Sequence, residues 1–277
     1  MRQQEEMMDK LETVPKPLAG QVAIVTGGGR GVGRSIAQAL ATSGAKVAVA
    51  ARTRSQLDET VAFIQEQGGQ AISFTLDVTD QKGVERMVDE TIRQLGPVDL
   101  LVNNAGFSSK DEAPIWEADP SEWWQIIEVN LHGPFLCSRA VLPWMVSRKA
   151  GRIINVASGA GTVPSAFNSG YPVSKAALFR FTDSLAEMTN PYGISIFAIS
   201  PGLVRTTMTE DLSIFKDVPE SEWLPGERAG ELCVALATGK ADRLTGRYLH
   251  VLNDLDEMIQ RADEILEKDL YVLRLRE

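Results

Sequence analysis

The residues best able to do chemistry lie between Ser158 and Lys175, in the segment SGAGTVPSAFNSGYPVSK. Tyr171 follows Ser158 by thirteen positions, and Lys175 follows Tyr171 by four. On a helix, residues at i and i+4 share a face, so the phenol and the ammonium would sit one above the other. An ammonium beside a phenol favours the phenolate, drawing the tyrosine down from its usual value of about 10. A phenol tuned in this way can serve as a general acid or base. Ser158 closes the apolar run 152–157, where a strand would deliver its hydroxyl to the edge of a site. By itself, a tyrosine four before a lysine is an ordinary helix-surface pair. The elements around it decide between the two readings.

Upstream lies a second chemical signal. The apolar, β-branched run 21–26 reads as a buried strand, and five glycines fall within the next seven positions. The string Thr26-Gly27-Gly28-Gly29-Arg30-Gly31-Val32-Gly33 has the spacing T-G-x-x-x-G-x-G. It fits neither G-x-G-x-x-G nor a P-loop, yet it sits between a strand and a helix, where backbone N–H groups can approach a pyrophosphate. The loop is expected to bind a nucleotide. An NAD-selecting fold usually ends its second strand in an acidic residue that holds the ribose. Here that strand ends in Ala50-Ala51-Arg52-Thr53-Arg54. Arg52, joined by Arg30, would hold a 2′-phosphate, which favours NADP(H) over NAD(H).

Short apolar runs alternate with helical patterns along the chain. Strands are expected at 21–26, 46–51, 71–76, 98–103, 152–157, 194–200 and 247–252. Helices are expected at 34–43, 55–67, 80–95, 120–148 (one or two in succession), 171–189 and 225–238. Continuous apolar strands alternating with helices predict an α/β fold: a doubly wound, parallel seven-stranded sheet, Rossmann-like, in one domain. Gly27, Asn103, Ser158 and Pro201 would then all lie just after strands, at the carboxyl edge of the sheet where such folds bind ligands.

The expected organisation is an arm at 1–19, a catalytic domain at 20–253 and a helical extension at 254–277. The net charge of −9 argues against nucleic acid and anionic membrane surfaces as partners. The first twenty residues have no apolar core of a signal peptide, and no apolar run is long enough to span a bilayer. Cys137 and Cys233 lie in no metal-binding spacing, so a metal-free, cytoplasmic protein is expected.

Taken together, Thr26-Gly27-x-x-x-Gly31-x-Gly33, Asn103-Asn104-Ala105-Gly106, Asn130, Ser158, Tyr171-x-x-x-Lys175 and Pro201-Gly202 resemble the short-chain dehydrogenase/reductases in order and spacing. The likeness runs from about residue 20 to about residue 252. It implies that Tyr171 trades a proton with a substrate oxygen, that Ser158 hydrogen-bonds that oxygen, and that Lys175 tunes Tyr171 and holds the nicotinamide ribose. Asn130 would position Lys175 and a water in a proton relay. Gly27, Gly29, Arg30, Gly31, Val32 and Gly33 would cradle the cofactor. Asp77 and Val78 would meet the adenine, and Asn104, Ala105 and Gly106 would line the cofactor. Pro201, Gly202, Val204 and Thr206 would flank the nicotinamide. A homodimer or homotetramer is implied, formed through the 120–148 helix and the one bearing Tyr171.

Substrate choice is expected in the loop 203–224, with Met208, Leu212, Ile214, Phe215 and Trp223 among acidic Glu210, Asp211 and Asp217. Phe107, Trp116 and residues 159–167 would add walls. Such a lining suits an apolar ketone or secondary alcohol. The tail departs from the family pattern: Asn253-Asp254-Leu255 replaces the usual closing Asp-Gly-Gly, and apolar residues then recur at helical spacing up to Leu266. That stretch is expected to dock on the body or on a neighbouring subunit. Two other readings remain: a catalytically silent NADP-binding regulator or scaffold on the same fold, and a related epimerase or dehydratase.

Overall fold

The computed structural model describes residues 16–109, 113–166, 168–210 and 212–275. Seven parallel strands form one sheet: β1 (Val22–Thr26), β2 (Lys46–Ala51), β3 (Gln70–Thr75), β4 (Leu100–Asn103), β5 (Gly151–Val156), β6 (Ile194–Ser200) and β7 (Tyr248–His250), in the order β3-β2-β1-β4-β5-β6-β7. The order reverses between β1 and β4, which opens a crevice beyond their carboxyl ends.

The helices are α1 (Gly31–Thr42), α2 (Arg54–Glu66), α3 (Gln81–Leu95), α4 (Pro120–Ile127), α5 (Gly133–Arg148), α6 (Gly170–Thr189), α7 (Glu227–Ala237), α8 (Leu255–Gln260) and α9 (Ala262–Glu267). They cover both faces of the sheet. One core layer joins β1, β2, β5 and β6 to α1 and α7 through Val25, Ile36, Leu40, Phe197 and Leu236. The other joins the sheet to α3 and α5 through Ile24, Met87, Val141, Met145 and Ile196. Every residue of β1, β4 and β6 is buried. Full burial on two faces explains why these strands read as continuous apolar runs rather than alternating ones.

The first helix begins at Gly31 rather than Arg34, so the last two glycines of the loop belong to its opening turn. The expected helix 120–148 is two helices joined by a π-turn at Glu128–His132, where the Gly133 N–H reaches back five residues to the Glu128 carbonyl. Such wide turns sit often at functional sites. Here the turn carries Asn130.

Both ends of the chain pack on this body. Leu18, inside the expected arm, is fully buried, and its N–H donates to the Ser43 carbonyl at 2.9 Å; residues 1–15 lie outside the described residues. At the other end, Met258, Ala262 and Ile265 enter the first core layer. Beyond α9 the chain runs back along β7. The Tyr271 carbonyl accepts the Tyr248 N–H at 2.9 Å, and Arg274 reaches Asp183 at 2.7 Å and Asp269 at 2.6 Å. Among the described residues, no helix is long and apolar enough to cross a membrane.

Candidate active site

The glycine loop is held from behind. Thr26 ends β1, and its hydroxyl accepts from the Asn104 and Ala105 N–H groups at 3.0 and 3.1 Å and donates to the Val102 carbonyl at 3.3 Å. Asn104 Nδ2 donates back to the carbonyls of Thr26 (2.9 Å) and Gly27 (3.3 Å). The ends of β1 and β4 are therefore stitched together. Gly27 has φ +66°, and a Cβ on Gly33 would lie 2.3 Å from the Gly27 carbonyl oxygen, so neither position admits a side chain.

Two residues that the sequence did not single out aim the loop. Arg34 donates to the Gly29 carbonyl from Nε (3.0 Å) and Nη2 (2.6 Å) and pairs with Glu59 at 2.8 Å. The buried Thr60 hydroxyl lies within 3.1 Å of the Gly28 carbonyl and 3.4 Å of Gly29. The loop carbonyls thus turn towards α2. The N-terminus of α1 has no side-chain cap and no acidic residue in its first turn. Gly31, Val32 and Gly33 line the cleft there, and a helix start with unspent N–H groups favours an anion.

Arg30 and Arg52 both line the same cleft, at the ends of β1 and β2. Arg52 is exposed and stands 3.9 Å from Asp77, a loose pairing. Asp77 spends one oxygen on the Thr79 N–H (3.0 Å) and hydroxyl (2.8 Å), while Val78 is buried beside it.

Ser158, Tyr171 and Lys175 converge at the other end of the cleft. Ser158 leaves the end of β5, and its Oγ accepts from the Ala160 N–H at 3.2 Å. The Ser158 hydroxyl stands near enough to the Tyr171 phenol to act on its pKa. Lys175 is almost fully buried; its Nζ donates to the Val156 carbonyl at 2.8 Å and lies 5.5 Å from the centre of the Tyr171 ring. The expected lowering of the Tyr171 pKa by Lys175 is not what the protein's own groups produce. Burial pushes the phenol up from its ordinary value, with only the Ser158 hydroxyl opposing it. Burial also pushes Lys175 down to about 8. In a poorly solvated pocket the cost of charging each group outweighs their mutual attraction.

Asn130 lies in the π-turn, and its side chain is bonded to Phe107 and to Ser174 of α6. Oδ1 accepts the Phe107 N–H at 2.7 Å, and Nδ2 donates to the Phe107 carbonyl (2.9 Å) and to Ser174 Oγ (3.0 Å). Fully buried and with these groups engaged, it braces the Phe107 loop against the helix that carries Tyr171. Trp123 adds a second brace, its Nε1 donating to Ser169 Oγ at 3.1 Å.

A sequence model described as short chain dehydrogenase matches residues 21–217. The chain belongs to the short-chain dehydrogenase/reductase family. A 3-oxoacyl-[acyl-carrier-protein] reductase of Synechocystis is 34% identical over 239 residues, covering 84% of this chain and 96% of that protein. A short chain dehydrogenase of Pseudocercospora fijiensis is 34% identical over 262 residues, covering 89% and 85%. Among solved structures, a chain from Beutenbergia cavernae assigned as an NAD(P)-dependent gluconate 5-dehydrogenase, holding NADP at low occupancy, superposes with a TM-score of 0.78. It is 31% identical and is covered to 97%, against 86% of this chain. The protein is accordingly an oxidoreductase of an NAD(P)-dependent family that acts on small molecules and is commonly oligomeric.

In this family member a single cleft of about 910 Å³ runs from the glycine loop to Ser158 and Tyr171, with Asn104, Ala105, Gly106, Pro201, Gly202 and Val204 along it. It fits an NAD(P) cofactor: a glycine cradle at one end, two guanidinium groups near it, and a phenol and a lysine at the other. The loop after β6 passes close to the cradle, since a Cβ on Gly31 would come within 3.2 Å of Thr206 Cγ2. Phe107, Val163, Met208, Leu212, Ile214 and Phe215 contribute apolar side chains to the cleft. Trp116 and Trp223 do not line it. Trp116 stands 80% exposed. Trp223 packs edge-on to Phe215 and under the Arg205 guanidinium, which is itself paired with Glu220. Phe167 and Asp211 lie outside the described residues. Among the described residues, no group of three or more His, Cys, Asp or Glu side chains could hold a metal ion. Cys137 is buried, its thiol pushed up to about 12. Burial pushes the Cys233 thiol up as well.

Proposed function

We propose that this protein is an NADP-dependent oxidoreductase that moves hydride between nicotinamide and a ketone or secondary alcohol, with Tyr171 as the acid/base. The observation that carries the reading is the continuity of the cleft, which joins the glycine cradle to the Ser158–Tyr171 pair.

The chain's own groups divide the work. Gly27, Gly29, Arg30, Gly31, Val32 and Gly33 hold the pyrophosphate end, with Asp77 and Val78 at the adenine and Asn104, Ala105 and Gly106 along the floor. Pro201, Gly202, Val204 and Thr206 flank the nicotinamide, which supplies the hydride when bound. Ser158 holds the substrate carbonyl oxygen, and Tyr171 Oη gives that oxygen a proton as it gains charge. A phenol held above its ordinary pKa is protonated throughout the neutral range, which suits the reductive direction. Lys175 sits close enough to stabilise negative charge on Tyr171 once the proton has left. Asn130 acts by fixing the wall and helix beside the pair.

Preference for NADP over NAD rests on Arg30 and Arg52 at the adenosine end, with no carboxylate at the end of β2. We further propose a catalytic domain at 20–253 followed by an extension at 254–277, a cytoplasmic location and a homodimer or homotetramer. The exposed Trp124, Phe135, Trp144, Val173 and Met188 on α4, α5 and α6 support that assembly face.

A panel of ketones and secondary alcohols with NADPH and NADP, followed at the nicotinamide absorbance, tests the function. Tyr171→Phe should reduce turnover about 10²- to 10⁴-fold, the usual worth of a general acid, while NADPH still binds by fluorescence titration. Wild-type turnover in that variant would reject the mechanism. Cofactor binding with no turnover on any carbonyl in the native protein would favour the silent regulator.

A further inference from the structure

His250 closes β7, at the opposite end of the sheet from the adenosine site, and it lines the cleft with Ser158, Gly159, Leu203 and Met208. Tyr248 and His250 are two apart on the strand and so share a face. Tyr248 packs edge-on against Phe179 of α6, 4.9 Å between ring centres, and its hydroxyl would lie 3.9 Å from a Cβ on Gly159. His250 therefore faces the side of the catalytic serine turn. Its Nδ1 accepts the Leu252 N–H at 3.2 Å, which leaves the proton of the neutral imidazole on Nε2. No partner for Nε2 exists among the described residues.

Several other polar side chains at this end are bonded within the fold. Asn168 Nδ2 bonds Ser108 and the Ser109 carbonyl, Lys175 bonds Val156, and Arg205 is paired with Glu220. Beside the apolar side chains of Leu203 and Met208, a fixed N–H donor without a protein partner selects for an acceptor on the ligand.

We propose that His250 is a specificity-determining residue: its Nε2–H binds a second, acceptor oxygen on the substrate, remote from the carbonyl that is reduced. The substrate class is a ketone carrying an ester, carboxylate or similar oxygen. β7 lies two strands beyond β5, about 10 Å across the sheet. A substrate bridging that span carries its second oxygen a few bonds from the ketone, about two or three methylenes at the spacings tested below. The inference rests on the ketone-reductase reading above.

The test compares ethyl levulinate with the chain-matched methyl hexyl ketone, and ethyl acetylbutyrate with methyl heptyl ketone, using NADPH and full-length protein. His250→Asn keeps an acceptor for the Leu252 N–H, as an Asx turn does, but withdraws the Nε2 donor. His250→Gln returns a donor at greater reach. In the native protein both keto esters should exceed their partners in kcat/KM. His250→Asn should lower keto-ester kcat/KM about five- to ten-fold, chiefly through KM, as loss of one neutral hydrogen bond implies. The plain ketones should fall less than about two-fold, and His250→Gln should recover part of the difference. Equal losses on esters and ketones, or none, overturn the role of His250 while leaving the reductase reading intact. Failure of the native protein to reduce all four compounds overturns both.

Discussion

Asn130 donates to the Ser174 hydroxyl at 3.0 Å, and Ser174 donates in turn to the Tyr171 carbonyl at 2.7 Å. The π-turn and the first turn of α6 are thus tied through a buried hydrogen-bond chain that ends on the backbone of Tyr171. Ser174→Ala leaves a buried amide donor without its partner, which costs about 1–3 kcal/mol. Thermal unfolding should occur several degrees lower, and turnover should fall while NADPH affinity stays near wild type. An unchanged melting temperature would show that the relay carries no stability.

Lys175 predicts a pH dependence. Its folded pKa is lowered from 10.5 to about 8. Between pH 8 and pH 10 the unfolded chain therefore binds more protons at this residue than the folded one, and stability rises with pH across that window. Above it, Tyr171 reverses the trend, because its folded pKa is raised and the unfolded chain loses its proton first. Melts of wild type and Lys175→Met, compared at pH 8 and pH 10, should show a smaller rise in the variant. Parallel curves would contradict the assignment.

Arg52 and Asp77 stand 3.9 Å apart, too far for a tight pair, so the guanidinium can turn to a phosphate at little cost. Arg52→Ala should weaken NADPH binding about ten- to hundred-fold, the worth of a charge-assisted bond, and leave NADH nearly untouched. Equal losses for the two cofactors, measured by fluorescence titration, would remove Arg52 from the phosphate site.

Arg34 gives the opposite pattern. It touches the loop carbonyl at Gly29 and Glu59 rather than the adenosine end. Arg34→Met should weaken NADPH and NADH alike, by about one order of magnitude for the loss of a charged hydrogen bond. A selective loss of NADPH would instead place Arg34 at the 2′-phosphate.

The sheet was legible because its strands are buried on both faces: unbroken runs such as 194–200 admit few other elements. The glycine loop was legible because backbone crowding leaves only glycine at Gly27 and Gly33. What the sequence could not show were contacts made across the fold. The Asn130 side-chain bonds to Phe107 and Ser174 span 23 and 44 residues. The i,i+4 spacing likewise reports proximity of Tyr171 to Lys175 but not the burial that raises the phenol pKa. Arg34, Thr60 and His250 sit in no recognisable spacing, and only the folded arrangement marks them.

The strand β7 ends the sheet, and its outward Tyr248 N–H is already taken by Tyr271 of the same chain. The molecule thus carries its own end-stop. An uncovered rim strand is a template for a strand from another molecule. Proteolytic loss of the chain beyond residue 254 would free that rim and strip Met258, Ala262 and Ile265 from the core at the same time. The nicked protein should then self-associate by edge pairing, so clipping of the tail would set shelf life and solubility before it touched the chemistry.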